Sequence, residues 1–291
     1  MVLDKKIGLV ILNYKDAETT KQLCENVMKY TALDHIVIVD NCSPDDSYEK
    51  LKVLQTDKVD VIKTSTNGGY SSGNNIGAFH LIFEYSVDVI FIANPDVCFS
   101  EYFVEAIASL IINKKATAAS GKMLNLDGSC GFKRKKINGF KEDLLDCLVI
   151  LQNRFGMYRD ENIYENSGIV EVEYLPGSLF AIDSSAFKCV NGFDENVFLY
   201  CEERILGKKL LDKKMKMIMD YDTSFLHAHS VTINKVISPL KQFMQLYKSR
   251  LYYWKNYSSV SIFSIILLEI FMIYGLCARQ IIYLIHKILH S

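Results

Sequence analysis

Over its first 120 residues the chain alternates short solid apolar runs with longer amphipathic stretches. The apolar runs Ile7–Leu12, His35–Val39, Val59–Lys63, Val87–Ala93 and Ala116–Ser120 have strand length and are bounded by turn residues. Between them, Ala17–Tyr30, Asp46–Leu54, Tyr70–Tyr85 and Glu101–Asn113 are predicted helices. Leu23, Val27 and Tyr30 fall near one face of the first, and Ser43 or Asp45 is placed to cap the second. Strands apolar on both faces, joined through helices, predict an α/β fold with a mainly parallel sheet covered on both sides. Residues 122–170 are irregular, with a predicted helix over Lys141–Gln152. Alternation resumes over Val170–Ile182, followed by a helix near Glu202–Leu211 and a strand at Lys216–Met219. All four prolines fall at predicted turns, and no internal repeat is visible.

The C-terminal part has a different pattern. Lys235–Tyr257 carries five basic residues, four tyrosines, Trp254 and no acid. Val260–Ala278 is nearly all apolar, with Glu269 as its only charge and serines diluting its start. A carboxylate in the middle of a span is costly. Basic and aromatic flanks suit an anionic headgroup layer. The expectation is helices lying on the cytoplasmic leaflet; a true span and a helix pair in a homodimer are the alternatives. A net charge of −1 gives no case for nucleic-acid binding. Eight cysteines without a C-x-x-C pair suggest reduced, buried thiols in a cytosolic protein. Met1–Lys6 leads straight into the first strand, with no signal-peptide pattern.

Chemistry gathers at strand ends. Val87–Ala93 runs into Asn94-Pro95-Asp96, which puts a carboxylate just past a buried strand. In open α/β sheets ligands bind at that edge, and a carboxylate there suits a divalent cation carrying a phosphate. Asp40 stands at the equivalent place after Val37-Ile38-Val39, where it can accept from a ribose hydroxyl or a base N–H. Asn67-Gly68-Gly69 through Gly73-Asn74-Asn75 is a glycine-rich helix entry, a basis for anion or sugar-nucleotide binding. It is not a Walker loop, because no Gly-Lys-Ser/Thr follows. Pro176-Gly177-Ser178 precedes a further strand, and Gly192-Phe193-Asp194-Glu195 leads to the adjacent carboxylates Glu202 and Glu203 at a helix start. The helix dipole alone favours acids there, yet transfer to a hydroxyl also needs a base. His227 is a candidate metal or phosphate ligand.

Taken in order, these segments resemble the inverting family 2 glycosyltransferases of the GT-A fold, nearest their bacterial rhamnosyltransferase-like branch. Val10–Tyr14, Val39–Asn41, Asn67–Asn75, Asn94–Asp96, Gly177-Ser178, Gly192–Glu195 with Tyr200–Glu203, and His227 carry the resemblance, over about residues 5–257. It implies a catalytic domain over 1–235, split into a nucleotide-sugar half (1–121) and an acceptor half (122–235), with C-terminal helices over 236–291. It further implies that Asn13, Tyr14 and Asp40 line the nucleotide pocket, and that Asn67, Gly73 and Asn75 line the donor side. Asn94 and Asp96 would occupy the family's D-x-D position, with Asp96 and His227 holding Mn²⁺ or Mg²⁺. Gly177 and Ser178 would stand on the acceptor side.

One departure stands out. The family usually reads Glu-Asp where this chain has Glu202-Glu203, so Glu203 occupies the base position with one extra methylene, and Glu202 is the alternative base. Ile205 also replaces a frequent acid. The expected reaction moves a sugar, rhamnose from dTDP-rhamnose or a UDP-sugar such as UDP-galactofuranose, to a glycan hydroxyl, on a lipid-linked acceptor at an anionic membrane surface. The competing expectation is a silent sugar-nucleotide-binding subunit of a membrane glycan complex.

Overall fold

The structure is a computed structural model and describes residues 2–132, 134–148, 167–228 and 239–289. The predicted rhythm is present at the start: β1 (Ile7–Asn13), α1 (Ala17–Val27), β2 (His35–Asp40), α2 (Ser47–Lys52), β3 (Val59–Lys63), α3 (Gly69–Tyr85) and β4 (Val89–Ala93). A two-residue strand, β5 (Val97–Cys98), follows, then α4 (Glu101–Ile112) and β6 (Ala118–Leu124). The later elements are α5 (Phe140–Asp146), β7 (Ile169–Val172), β8 (Leu179–Asp183), α6 (Ser184–Cys189), α7 (Glu202–Asp212), β9 (Met217–His227), α8 (Pro239–Asn256) and α9 (Ile262–Leu289). The helix expected over Lys141–Gln152 ends at Asp146, and its last four positions lie outside the described residues. So do Lys133, His229 and Lys235.

One sheet runs in the order β3-β2-β1-β4-β8-β6-β9-β5, with β7 pairing the first half of β9. Its first four strands are parallel, as expected from their apolar runs. In the second half β8 runs antiparallel between β4 and β6 while β6 and β9 pair in parallel, so a sheet whose longer ladders are parallel is mixed as a whole. The chain leaves β6 at one edge and re-enters β8 from that same edge. Gly177-Ser178, which lead into β8, therefore meet the carboxyl end of β4, where the Asn94 N–H donates to the Ser178 carbonyl at 2.8 Å.

Each face of the sheet is filled. Phe91, Phe103, Ile107 and Phe225 lie in the cluster on the α1/α4 side. Val10, Ile92, Phe180, Phe187 and Leu210 lie in the cluster beneath α3 and α7. Helix α3 comes unusually close to the strands because its inner positions lack side chains. A Cβ on Gly73 would stand 2.3 Å from Leu12 Cδ1, and one on Gly77 would stand 2.6 Å from Val10 Cγ1.

The aromatic stretch before the last helix is not a headgroup contact; it is a third core. Tyr247, Tyr253 and Trp254 of α8 are buried with Ile205, Ile265, Leu268 and Met272. The Arg204 guanidinium stacks on Tyr253 (3.9 Å to the ring centre) and faces Trp254 (4.9 Å). It donates to the fully buried Asp143 at 2.5 Å, and Trp254 Nε1 donates to the same carboxylate at 2.7 Å. Arg250 pairs with Asp146 and stands 3.8 Å from Asp143. A buried charge persists only when paired and hydrogen-bonded, so these contacts fix α5, α7 and α8 relative to one another. Ile205, which stands where an acid is frequent, fills this apolar seam with no exposed surface.

Removing one partner of this network leaves a buried cation unpaired. Asp143→Ala should lower unfolding free energy by about 3–5 kcal/mol, read as a fall in the urea midpoint at an unchanged m-value.

Candidate active site

The carboxyl ends of β1, β2 and β4, the start of β8 and the end of β9 meet at one edge of the sheet. Asn13 closes β1 and is fully buried. Its Nδ2 donates to Asp40 Oδ1 at 2.7 Å, and its Oδ1 accepts from Thr20 Oγ1 at 2.9 Å. Asp40 Oδ2 accepts the Ser43 N–H at 3.1 Å. The Asp40 carboxylate is thus held rigidly at the end of β2, beside the half-buried Tyr14 that follows Asn13. Asn41 donates to Asn67 Oδ1 (3.0 Å) and to the Gly69 carbonyl (2.9 Å), tying this edge to the glycine-rich entry of α3.

That entry then reaches across to the acceptor half. Gly69 has φ +83°, and a Cβ there would stand 2.1 Å from the Phe198 carbonyl oxygen, which glycine alone tolerates. The Tyr70 N–H donates to that carbonyl at 3.0 Å, and the Tyr70 phenol donates to the Gly177 carbonyl at 2.6 Å. Burial pushes the Tyr70 phenol well up, with the charges of Glu203 and Glu202 adding to it. Sequence reading quoted Tyr70 only as part of a motif; its bracing role depends on contacts 107 residues away in the chain.

The carboxylates lie close by. Glu203 packs on Gly177: a Cβ there would stand 2.4 Å from Glu203 Oε1. Burial raises the Glu203 pKa, and burial then the Glu203 charge raise that of Glu202 well above the carboxylate range. Glu202 is almost entirely buried, and its Oε2 has no hydrogen-bond partner among the described residues. The two residues before them, Tyr200 (φ 70°) and Cys201 (φ 69°), are both left-handed, a conformation that costs roughly 1–3 kcal/mol per side-chain-bearing residue and clusters at functional sites.

Asp96 and His227 meet at the same edge. The short β5 pairs antiparallel with the end of β9, matching Val97 to His227, and the Ala228 N–H donates to the Asp96 carbonyl at 2.9 Å. A β-bulge makes this possible. Pairing between β6 and β9 jumps from Gly121–Asp220 to Lys122–Ser224, with Asp220 accepting from Thr223 and Asp222 inside the bulge. The strand is thereby re-aimed from β7 toward β5. His227 Nε2 stands 3.2 Å from Asp96 Oδ1. Adjacent ligands of an octahedral cation with bonds near 2.1 Å stand about 3 Å apart. One oxygen and one imidazole nitrogen at this spacing therefore fit a corner of an Mn²⁺ or Mg²⁺ site. Among the described residues no third His, Cys, Asp or Glu completes a cluster. A cation held there would take most of its ligands from water and substrate oxygens.

Not every expected residue faces this edge. Gly73 is buried against Leu12, and its role in the structure is close helix–strand packing. Asn75 is turned away: it accepts from the Phe193 N–H (2.8 Å) and donates to the Phe193 carbonyl (3.0 Å) and to Glu195 (2.9 Å). It thus fastens the Gly192–Glu195 loop. The Ser178 hydroxyl donates to Met123 Sδ at 3.2 Å, so this residue meets the site through its backbone. Asn67 stays at the edge, with its Oδ1 accepting the Gly69 N–H at 3.0 Å.

Comparison with known proteins places this geometry. The sequence profile described as Glycosyl transferase family 2 matches residues 9–178. A hexosyltransferase of Haloferax volcanii, the low-salt glycan biosynthesis hexosyltransferase Agl10, is 23% identical over 197 residues; the match covers 68% of this chain and 59% of that protein's length. Among solved structures, GalNAc-T7 with UDP, GalNAc and Mn²⁺ superposes with TM-score 0.59 at 13% identity, covering 86% of this chain and 50% of that one. The Pyrobaculum calidifontis mannosyltransferase PcManGT with GDP-Man and Mn²⁺ gives TM-score 0.59 at 10% identity, covering 92% of this chain and 70% of that one. S. aureus TarS 1-349 gives 0.53 at 13% identity, covering 90% and 69%. At these identities the structural likenesses establish the fold.

The buried acid pair makes a stability prediction. A carboxyl whose pKa is raised by folding holds its proton in the native state over a pH window where the unfolded chain has lost it. Stability contributed by that group is therefore full below the unfolded value and falls as pH rises through the window. Glu202→Gln should be more stable than the unmodified chain at pH 8, and the gap should close toward pH 4, measured by urea unfolding at both pH values.

Proposed function

The chain belongs to glycosyl transferase family 2, and on that premise we propose that it moves a hexose from a nucleoside-diphosphate sugar to an acceptor hydroxyl, with inversion. One observation carries the reading: a buried carboxylate closing β2 (Asp40), a cation-type pair (Asp96 and His227) and a buried acid (Glu203) converge on one sheet edge from four separated segments.

Each residue then has a defined task. Asp40, held by Asn13 and Ser43, presents acceptor oxygens to the base or ribose, and Tyr14 supplies a flat wall beside it. Asp96 and His227 would hold Mn²⁺ or Mg²⁺. When bound, that ion neutralises the charge developing on the departing diphosphate. Glu203, pressed on Gly177 next to the Asn94 turn, takes the proton of the attacking hydroxyl. A base whose pKa is raised by burial accepts a proton more readily, which favours this role near neutral pH. Glu202, held protonated by its deeper burial and by the charge of Glu203, keeps the pair from carrying two negative charges. Two of the solved neighbours, with Mn²⁺ and UDP or GDP-Man, support a divalent cation and a nucleotide-sugar donor.

For the donor we propose dTDP-rhamnose, on the motif resemblance; UDP-sugars such as UDP-galactofuranose are its rivals. For the acceptor we propose a growing lipid-linked glycan at a membrane surface. The glycan-biosynthesis relative and the apolar C-terminal helix support it.

Calorimetry with dTDP, UDP and GDP, with Mn²⁺ and with EDTA, tests the donor site. Tight binding of one diphosphate in Mn²⁺ alone is expected, and Asp96→Ala should abolish that binding without altering the melting temperature. Binding without turnover across donors and acceptors would instead select the silent-subunit reading. For the base, the acid limb of kcat/KM should lie above the ordinary carboxylate range. Glu203→Gln should lower kcat by at least about 100-fold, with donor affinity unchanged.

A further inference from the structure

Among the described residues, helix α9 has a long apolar face with no partner. Its inner side, Ile265, Leu268 and Met272, is buried in the third core with Tyr247 and Trp254. Its outer side exposes Ile262, Phe263, Ile266, Ile270, Ile273 and Ile281, a stripe at helical spacing with Phe263 80% exposed. Contiguous exposed apolar surface of this length marks an interaction site. Residues Ile262–Ile282 are long and apolar enough to cross a membrane by length and composition alone.

Two further observations identify the occupant. Lys241, Lys248 and Lys255 recur every seven residues along α8, are all exposed, and share that helix with no acid. Lys255 Nζ donates to Glu269 Oε1 at 2.8 Å, so the last lysine of the row stands beside α9 and neutralises the one acid between Ile262 and Ile282. A cationic row beside an apolar stripe complements an anionic phospholipid surface. A span would need lipid on all sides of α9 and would take the Lys255–Glu269 pair toward the bilayer centre, yet one side is already committed to the protein. A two-fold pairing of this face with a second copy would bring like-charged lysine rows together.

We propose that α8 and α9 form a one-sided dock for an anionic phospholipid bilayer. α9 lies flat at the headgroup boundary with its isoleucine stripe inward, and the lysine row of α8 rests on lipid phosphates. The proposal deepens the membrane reading above and rests on it for its purpose.

Flotation of the full chain with phosphatidylcholine vesicles, with and without phosphatidylglycerol, tests it. Binding to the phosphatidylglycerol vesicles alone, weakened by salt and released by alkaline carbonate, is expected. Lys241→Ala with Lys248→Ala should weaken partitioning about 30-fold. Ile266→Ser with Ile270→Ser should abolish it, and diphosphate binding should be unchanged in both variants. Equal flotation on pure phosphatidylcholine would overturn the lysine role, and resistance to carbonate would replace the dock with a span. No flotation, with a dimer lost in the isoleucine variant, would assign the face to a second copy. Lost docking with intact diphosphate binding overturns this proposal alone; lost diphosphate binding with intact docking overturns the transferase reading alone.

Discussion

The site depends on the contact between the Asn94 N–H and the Ser178 carbonyl. It joins the carboxyl end of a parallel strand to the start of an antiparallel one. One half of the chain supplies Asp40 and Asp96, and the other supplies Gly177 and the acid pair. Without that crossing the two halves would present their functional groups at opposite ends of the sheet, because parallel strands display loops of one kind at each edge. The bulge in β9 solves the same problem for His227. It turns a strand that begins beside β7 so that it ends beside β5, opposite Asp96.

The acid pair shows how burial and placement interact. Both carboxyls follow two left-handed residues and sit at a helix start, where backbone N–H groups favour negative charge. Burial works against that preference and prevails, since both pKa values are raised. The extra methylene of Glu203, relative to the aspartate usual in the family, is accommodated where Gly177 offers no side chain.

Much of this was legible in the sequence for one reason: strand ends can be read. Solid apolar runs stopping at Asp40 and at Asn94-Pro95-Asp96 located the two carboxylates that stand at this edge of the sheet. The antiparallel entry of β8 was not legible, because an apolar run does not encode strand direction. Nor was the two-residue β5, which is too short to carry a period. Asn75 and Gly73 were read by motif and face elsewhere, since a helix entry rich in Gly and Asn serves packing and loop fastening as readily as ligand contact. The aromatics of α8 looked like a headgroup belt because composition cannot tell an interface with lipid from one with Arg204 and Asp143.

The consecutive left-handed residues Tyr200 and Cys201 carry a consequence for how this chain can change over generations. A glycine at either position would relieve backbone strain, so selection for heat resistance alone would be drawn there. The relaxed turn would no longer fix the direction in which the following helix sets out, and the acids at its start would lose their aim. Two side-chain-bearing residues in an unfavourable backbone state thus trade durability of the turn for the direction of the helix that follows.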